Sequence, residues 1–148
     1  NMDRRFKKAL RIAEFILRRE IKKVQDKVEA EMFVDRAYQE SADKRLLILD
    51  QGYPWHETIM KHSEPLFVIH PSEVDQNWVL RAVRKNSTTF ENRKNLPATW
   101  AGKRDADLQK ITGVSDAVFC HNKKFLAVAK SKAGVMKLVE LVLREKIG

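Results

Sequence analysis

The chain has few of the residues that interrupt or cross-link a backbone: among its 148 residues there are one cysteine, four prolines and five glycines. The single cysteine, Cys120, excludes an intramolecular disulfide, and the apolar run around it indicates an ordinary buried thiol. We therefore expect a reducing, cytoplasmic environment. No apolar run approaches the ~18 residues that a membrane span requires, so the sequence predicts no membrane partner.

The sequence also lacks the short patterns that identify most catalytic sites. The glycines are scattered singly and the pattern GxxxxGK is absent, which excludes a phosphate-binding loop of that type. No GxSxG pattern is present, and no histidine belongs to an HExxH, an HxH or a cysteine–histidine cluster. We therefore predict neither catalytic residues nor metal ligands among the residues of this chain, including its histidines His56, His62, His70 and His121.

Positive charge is concentrated in one part of the chain. The formal net charge is +9, and residues 76–137 contain 13 Lys and Arg against 4 Asp and Glu, which accounts for the whole excess. Such asymmetry favours an anionic partner, above all a nucleic acid or a short nucleotide. The alternative is that the charge only keeps a basic protein soluble.

The first forty residues have the periodicity of an α-helix. Their apolar residues recur every three or four positions, as on one face of a helix. A helix of ~38 residues would be ~57 Å long, more than a small core can cover. Its exposed part would need a second copy of the chain or a neighbouring domain, whereas a break near residues 29–33 would give two shorter helices. We assign residues 1–43 to a helical arm with the apolar positions Phe6, Leu10, Ala13, Leu17, Ile21, Val24, Val28 and Met32.

The sequence of the remainder, residues 44–148, predicts an α+β domain. Short apolar runs bounded by turn residues predict strands, and residues 66–84 alternate as an antiparallel hairpin does. Helices are predicted at residues 55–61, at 105–112 with Leu108 and Ile111 facing inward, and from Ser131 onward. We predict a mixed or antiparallel sheet of about five strands with helices packed on it, the strands being at residues 46–49, 66–69, 78–84, 117–120 and 125–129.

Residues 85–102 have no sustained period and predict an irregular loop pinned by Phe90, Leu96 and Trp100. Trp55 and Trp78 adjoin apolar strands and are predicted core anchors, whereas Trp100 has basic neighbours and is the better candidate for stacking on a base. The predicted nucleic-acid interface is Arg93, Lys94, Trp100, Lys103 and Arg104, with Arg81, Arg84, Lys123 and Lys124 as further phosphate candidates.

A different interpretation of this segment is structural. Arg93 and Arg104 would pair with Glu91, Asp105 or Asp107 to fasten the loop, and Trp100 would fill the core beneath it.

The central segment carries a pattern of fixed spacing. It resembles the C-terminal region of the melanocyte-proliferating-gene family, which is similar to the DHH phosphoesterases and includes 3′ to 5′ RNA exonucleases. The pattern consists of Phe90, Arg93, Leu96, Pro97, Trp100, Gly102, Arg104, Asp105, Leu108, Gly113, Phe119, His121 and Phe125.

The resemblance implies an accessory or substrate-binding domain of a metal-dependent phosphoesterase or exonuclease, without catalytic activity of its own. The family's metal ligands, for Mn²⁺ or Mg²⁺, belong to an N-terminal DHH-like domain that this sequence does not contain. Where the family usually shows a Gly-Gly pair, this sequence has side chains at Ala127, Val128 and Ala129, and glycines there would admit a closer approach of substrate to the backbone. The alternative is a free-standing nucleic-acid-binding or dimerising adaptor that lost the hydrolase site.

Overall fold

The computed structural model describes residues 2–145 of the chain. This part contains four α-helices and five strands. A short 3₁₀ helix, Ala98–Trp100, interrupts the long central loop. The predicted α+β class with a five-stranded mixed sheet is confirmed. In chain order the elements are α1 (Met2–Glu40), β1 (Leu46–Ile48), α2 (His56–Ile59), β2 (Phe67–Pro71), β3 (Trp78–Ala82), α3 (Asp105–Thr112), β4 (Ala117–Cys120), β5 (Leu126–Ala129) and α4 (Lys132–Arg144).

The strands lie in the order β1-β2-β3-β5-β4. Strand β1 is parallel to β2, and the other neighbouring pairs are antiparallel. The predicted hairpin is confirmed, since Phe67 lies opposite Ala82 and Pro71 opposite Trp78. Strand β5 returns between β3 and β4, so the edge of the sheet on that side is β4.

Helices α3 and α4 cover one face of the sheet. Leu108 of α3 and Leu138 of α4 are fully buried in the same cluster as Leu80 and Ala82 of β3. Ser131 accepts a hydrogen bond from the amide of Gly134 (3.0 Å), which caps the first turn of α4 as predicted.

Helix α3 ends at Gly113, which has a φ of 71° that only glycine adopts without strain. The inward position predicted for Ile111 is wrong, because its side chain is 46% exposed. A helix of eight residues presents only one short row to the sheet, and Leu108 and Thr112, one turn apart, occupy it.

The second face of the sheet is covered only in part. Trp55, Ile59 of α2, and Val34 and Tyr38 of α1 form a second cluster with apolar side chains of β1 and β2. Trp55 is buried as predicted, whereas Trp78 is half-buried at the border of the first cluster. Over β3, β5 and β4 this face carries half-exposed side chains instead of a helix.

Helix α1 is continuous over 39 residues, so the alternative of two shorter helices is wrong. Residues 2–29 are exposed throughout, and the first buried side chain is Ala30. The last turns of α1 therefore belong to the packed body, while the boundary of the arm at residue 43 stays a prediction. From residue 2 to residue 145 no helix is both long and apolar enough to cross a membrane.

Replacing Ser131 by alanine should lower the free energy of unfolding by about 1 kcal/mol, because the amides at the start of α4 would lose their capping oxygen. Urea unfolding of Ser131→Ala measures the loss, and Ser87→Ala at an exposed turn serves as the control. Equal stability of the two variants would contradict the capping role.

Candidate nucleic-acid interface

The structure places Trp100 in the core. Its side chain is only 4% exposed and packs with Leu96 and Leu108 beneath the central loop. Neither face of the ring is accessible to a base, so the expected stacking role does not fit this placement. The structural interpretation of Trp100 as the residue that fills the core under the loop is confirmed.

The four basic residues predicted beside Trp100 contact separate parts of the molecule. The guanidinium of Arg93 donates to the carbonyl of Pro65 (2.9 Å), and burial lowers its pKa. The ammonium of Lys94 lies 3.4 Å from the carbonyl of Glu145. Arg93 therefore fastens the loop through a carbonyl, and not through the carboxylates that the structural interpretation named.

The two remaining residues lie along β4. The guanidinium of Arg104 is 4.3 Å from the ring centroid of Phe119, and the carbonyl of Lys103 accepts a hydrogen bond from the Cys120 amide (3.0 Å). Binding of nucleic acid by Arg93, Lys94, Lys103 and Arg104 stays a prediction. Their contacts hold the loop to the rest of the protein and do not bring the four residues together in one groove.

The structure instead brings other basic residues together around one cavity of about 360 Å³. We call it the basic cleft. It lies between α2, the loop that follows β3, and the turn between β4 and β5. Three of its residues, Arg81, Arg84 and Lys123, were predicted phosphate candidates. The lining residues are His56, Arg81, Ala82, Arg84, Phe90, Asn92, His121, Lys123 and Phe125.

The alternation of β3 positions Arg81. Its neighbours Leu80 and Ala82 belong to the cluster under α3 and α4, so Arg81 lies on the opposite, partly open face of the sheet. Arg81 pairs with Val68 on one side and with Leu126 on the other, in the interior of the sheet. The backbone under this arginine is therefore held by two ladders.

The loop after β3 is closed by its own contacts. Arg84 and Asn92 form an isolated antiparallel bridge. The amide of Lys85 donates to the carbonyl of Glu91 (2.9 Å), and their side chains form an ion pair at the same distance. Asn86 accepts from the amides of Thr88 and Thr89 (3.0 Å each), as asparagine commonly does in turns.

The guanidinium of Arg81 has a hydrogen-bond donor that lacks an acceptor within residues 2–145. Its Nε atom is buried and has no hydrogen-bond partner among the described residues. Burial lowers the pKa of Arg81, and the nearby Arg84 lowers it further. Because burying a cation without a partner is unfavourable, an anion placed here would be stabilised.

His56 adds a second titratable group to this site. Its ring stacks on Trp55 with centroids 3.8 Å apart. Burial against the protein lowers its pKa, and the charges of Arg81 and Arg84 lower it further. An anion would oppose those charges and favour the protonated imidazole.

Phe90 stands at the rim of the basic cleft and is 87% exposed. The expectation that it pins the central loop is therefore wrong. The guanidinium of Arg84 lies 5.0 Å from its ring centroid, which holds a flat apolar surface beside a cation. An exposed aromatic ring next to basic residues is the arrangement on which single-stranded bases stack.

No group of three or more His, Cys, Asp or Glu side chains in residues 2–145 is placed to hold a metal ion. The histidines of the basic cleft stand among arginines and a lysine, which would repel a divalent cation. The residues described thus do not fit Mn²⁺ or Mg²⁺. Burial raises the pKa of the Cys120 thiol to about 11, which keeps it protonated and unreactive at neutral pH.

Eight of the thirteen motif positions fall into two groups. Leu96, Trp100 and Leu108 are core residues, and Gly102 and Gly113 have positive φ angles. Phe90, His121 and Phe125 line the basic cleft. Some residues of the motif thus pack the core beneath the central loop, and others line one wall of the basic cleft.

Sequence reasoning assigned no binding role to His56 and Phe90. His56 reaches the cleft only because α2 lies across the sheet, a tertiary placement that no local spacing encodes. For Phe90 a signal existed: it follows three hydroxyl residues outside any apolar period, where a core anchor is uncommon.

Trp100→Ala should lower the free energy of unfolding by about 3–5 kcal/mol, because it removes a buried aromatic side chain. RNA binding should be unchanged at temperatures where the variant is folded. Thermal unfolding and fluorescence anisotropy measure the two effects, and Trp100→Phe provides a milder variant. Loss of binding in a folded Trp100→Phe protein would restore the stacking role.

A protein-family model described as "Uncharacterised protein family (UPF0160)", MYG1_exonuc, matches residues 1–143. The chain is 33% identical over 106 residues to the MYG1 protein of Chlamydia pneumoniae, covering 68% of this chain and 36% of that protein. It is 26% identical over 123 residues to MYG1 protein C27H6.8 of Caenorhabditis elegans, covering 76% of this chain and 36% of that protein.

A relative named MYG1 exonuclease, from Homo sapiens, is 26% identical over 100 residues, which cover 63% of this chain and 26% of that protein. The chain thus spans between 26% and 36% of the length of these three relatives. No solved structure matches it significantly. Because the family model extends over nearly all of its residues, the chain belongs to the MYG1 family, UPF0160.

Proposed function

We propose that this chain is the substrate-binding part of a MYG1-family exonuclease or DHH-like phosphoesterase, and that the basic cleft binds single-stranded nucleic acid. The observation that carries the proposal is the buried Nε of Arg81, which has no partner among the described residues in a cavity lined by further cations. The names of several relatives, which call them exonucleases, agree with a nucleic-acid substrate.

A phosphate group fits the requirements of the cleft. Arginine presents a planar fork of N–H donors that matches phosphate oxygens, and such charge-assisted hydrogen bonds are stronger than neutral ones. Arg81 and Arg84 would contact the phosphate, with Lys123 supplying a further charge. The residues that line the cavity include no carboxylate to compete for them.

A nucleotide also fits the size and the rim of the cleft. The volume of about 360 Å³ lies in the range of small-molecule sites, which begins at roughly 300 Å³. Phe90 at the rim offers a ring face to the base, and Asn92 offers an amide. Because Phe90 projects from a loop, the base must be unpaired to stack on it, which favours a single strand.

Hydrolysis requires groups outside the described residues. A metal-dependent phosphoesterase uses a divalent ion to polarise the phosphate and to activate water. The described residues hold no cluster of carboxylates and histidines for such an ion. In our proposal this chain binds and orients the strand, and Mn²⁺ or Mg²⁺ is held by an N-terminal DHH-like domain of the complete enzyme.

Replacing Arg81 by methionine should weaken the binding of a fluorescein-labelled ten-nucleotide oligouridylate by about tenfold or more, because the variant loses charge-assisted hydrogen bonds to phosphate. Fluorescence anisotropy at low salt measures the affinity. Arg19→Met, at an exposed position of α1, is the matched control and should bind as the original chain does.

Phe90→Ala tests the same cleft from its rim and should weaken binding by about 1–3 kcal/mol, whereas Phe90→Trp should preserve it. If Arg81→Met and Phe90→Ala both bind normally while Arg93→Met does not, the basic cleft is the wrong site. No binding of the oligonucleotide at low salt would reject the nucleic-acid function.

The chain should not cleave short RNA, DNA or dinucleotides in the presence of Mn²⁺, because its described residues hold no metal cluster. Chromatography of the reaction products measures turnover over a blank. Turnover that is lost in a folded His56→Gln or His121→Gln variant would show that the chain is catalytic by itself.

A further inference from the structure

Helix α1 carries an apolar stripe along its exposed length. Its members recur at intervals of 4, 3 and 4 residues, a repeat of eleven residues that keeps them in an almost straight row at 3.67 residues per turn. The row is about 39 Å long at 1.5 Å per residue. We call it the α1 stripe: Phe6, Leu10, Ala13, Leu17, Ile21, Val24, Val28 and Met32.

The body of the protein leaves the α1 stripe uncovered. The body packs against Ala30, Val34 and Tyr38, which lie roughly 100° around the helix from the stripe. Even Met32, beside those buried positions, is 62% exposed. A contiguous apolar surface of this size marks an interaction site, since soluble monomers rarely expose one.

The two ends of α1 have opposite charge. Residues 2–11 contain five basic residues and one acidic residue, a net charge of +4. Residues 26–40 contain two basic and five acidic residues, a net charge of −3. A parallel pair of helices would place like charges together, whereas an antiparallel pair would place the basic end of each helix beside the acidic end of the other.

The spacing of the stripe is also self-complementary. In an antiparallel pair centred on position 19, Phe6 lies opposite Met32, Leu10 opposite Val28, and Leu17 opposite Ile21 of the other copy. Six of the eight stripe residues therefore meet one another, while Ala13 and Val24 lie opposite Gln25 and Glu14. Together with the opposite charges of the two ends, these pairings favour a second copy of this chain as the occupant of the stripe.

We propose that two copies of this chain associate through the α1 stripe as an antiparallel helix pair. The free half of each helix lies against the half of the other that carries the packed body. The body packs on a different side of the helix from the stripe, at Ala30, Val34 and Tyr38. The proposal is independent of the function of the basic cleft.

The mass of the complete chain in solution tests the association. Analytical ultracentrifugation at micromolar concentration should give twice the mass of one chain, and Leu17→Glu at the centre of the stripe should raise the dissociation constant by about thirtyfold or more. Phe15→Glu is the matched control. Its side chain is also exposed but lies on the opposite side of α1, so the variant should remain dimeric.

Disulfide trapping tests the orientation. Leu10→Cys and Val28→Cys proteins, mixed and oxidised, should give a covalent dimer containing one of each, because the two positions face each other only in the antiparallel pair. Each variant alone should give little covalent dimer. The native Cys120 is buried and does not compete.

A monomeric mass at 100 μM, or a dimer that Leu17→Glu leaves intact, would overturn the proposal. A dimer in which Leu10→Cys links efficiently to itself would overturn the antiparallel orientation. Circular dichroism of each variant shows whether α1 is still helical. If RNA binding persists in monomeric Leu17→Glu, the cleft acts without the dimer, and the proposed function stands apart from this inference.

Discussion

The alternation of side chains along β3 is the constraint on which both faces of the molecule depend. Leu80 and Ala82 point into the cluster under α3 and α4, and this requires Arg81 to point to the other face. That face is covered by α1 and α2 only over β1 and β2. The buried core and the basic cleft are therefore two consequences of one strand register, and a shift of one residue would exchange them.

Most of the architecture could be predicted because it is local. The five apolar runs became the five strands, and the unbroken periodicity of residues 3–40 became one helix. Ser131 caps the start of α4 and Gly113 ends α3, as the chemistry of each residue predicts. The strand order and the parallel pairing of β1 with β2 depend on packing between distant segments, which periodicity does not encode.

The candidate site was harder to predict because its residues come from three separate segments. Composition placed the charge correctly in residues 76–137, but it could not distinguish Arg81, at an open sheet face, from Arg93, which fastens a loop to Pro65. The same limit explains why the roles of the two aromatic residues of the loop were predicted the wrong way round: Trp100 was predicted to be accessible to a base and Phe90 to pin the loop. Trp100 and Phe90 are both flanked by polar residues, and only the packing of α3 determines which one is buried.

The basic side chains differ in whether the protein itself supplies their partner. Lys27 and Lys85 are exposed and form ion pairs with Glu57 and Glu91, and pairs of this kind contribute little and need no ligand. Arg81 differs because its Nε is buried and has no partner among the described residues. A protein gains no stability from such a group when it is unbound. The anion binding that we propose for the basic cleft would supply that missing partner.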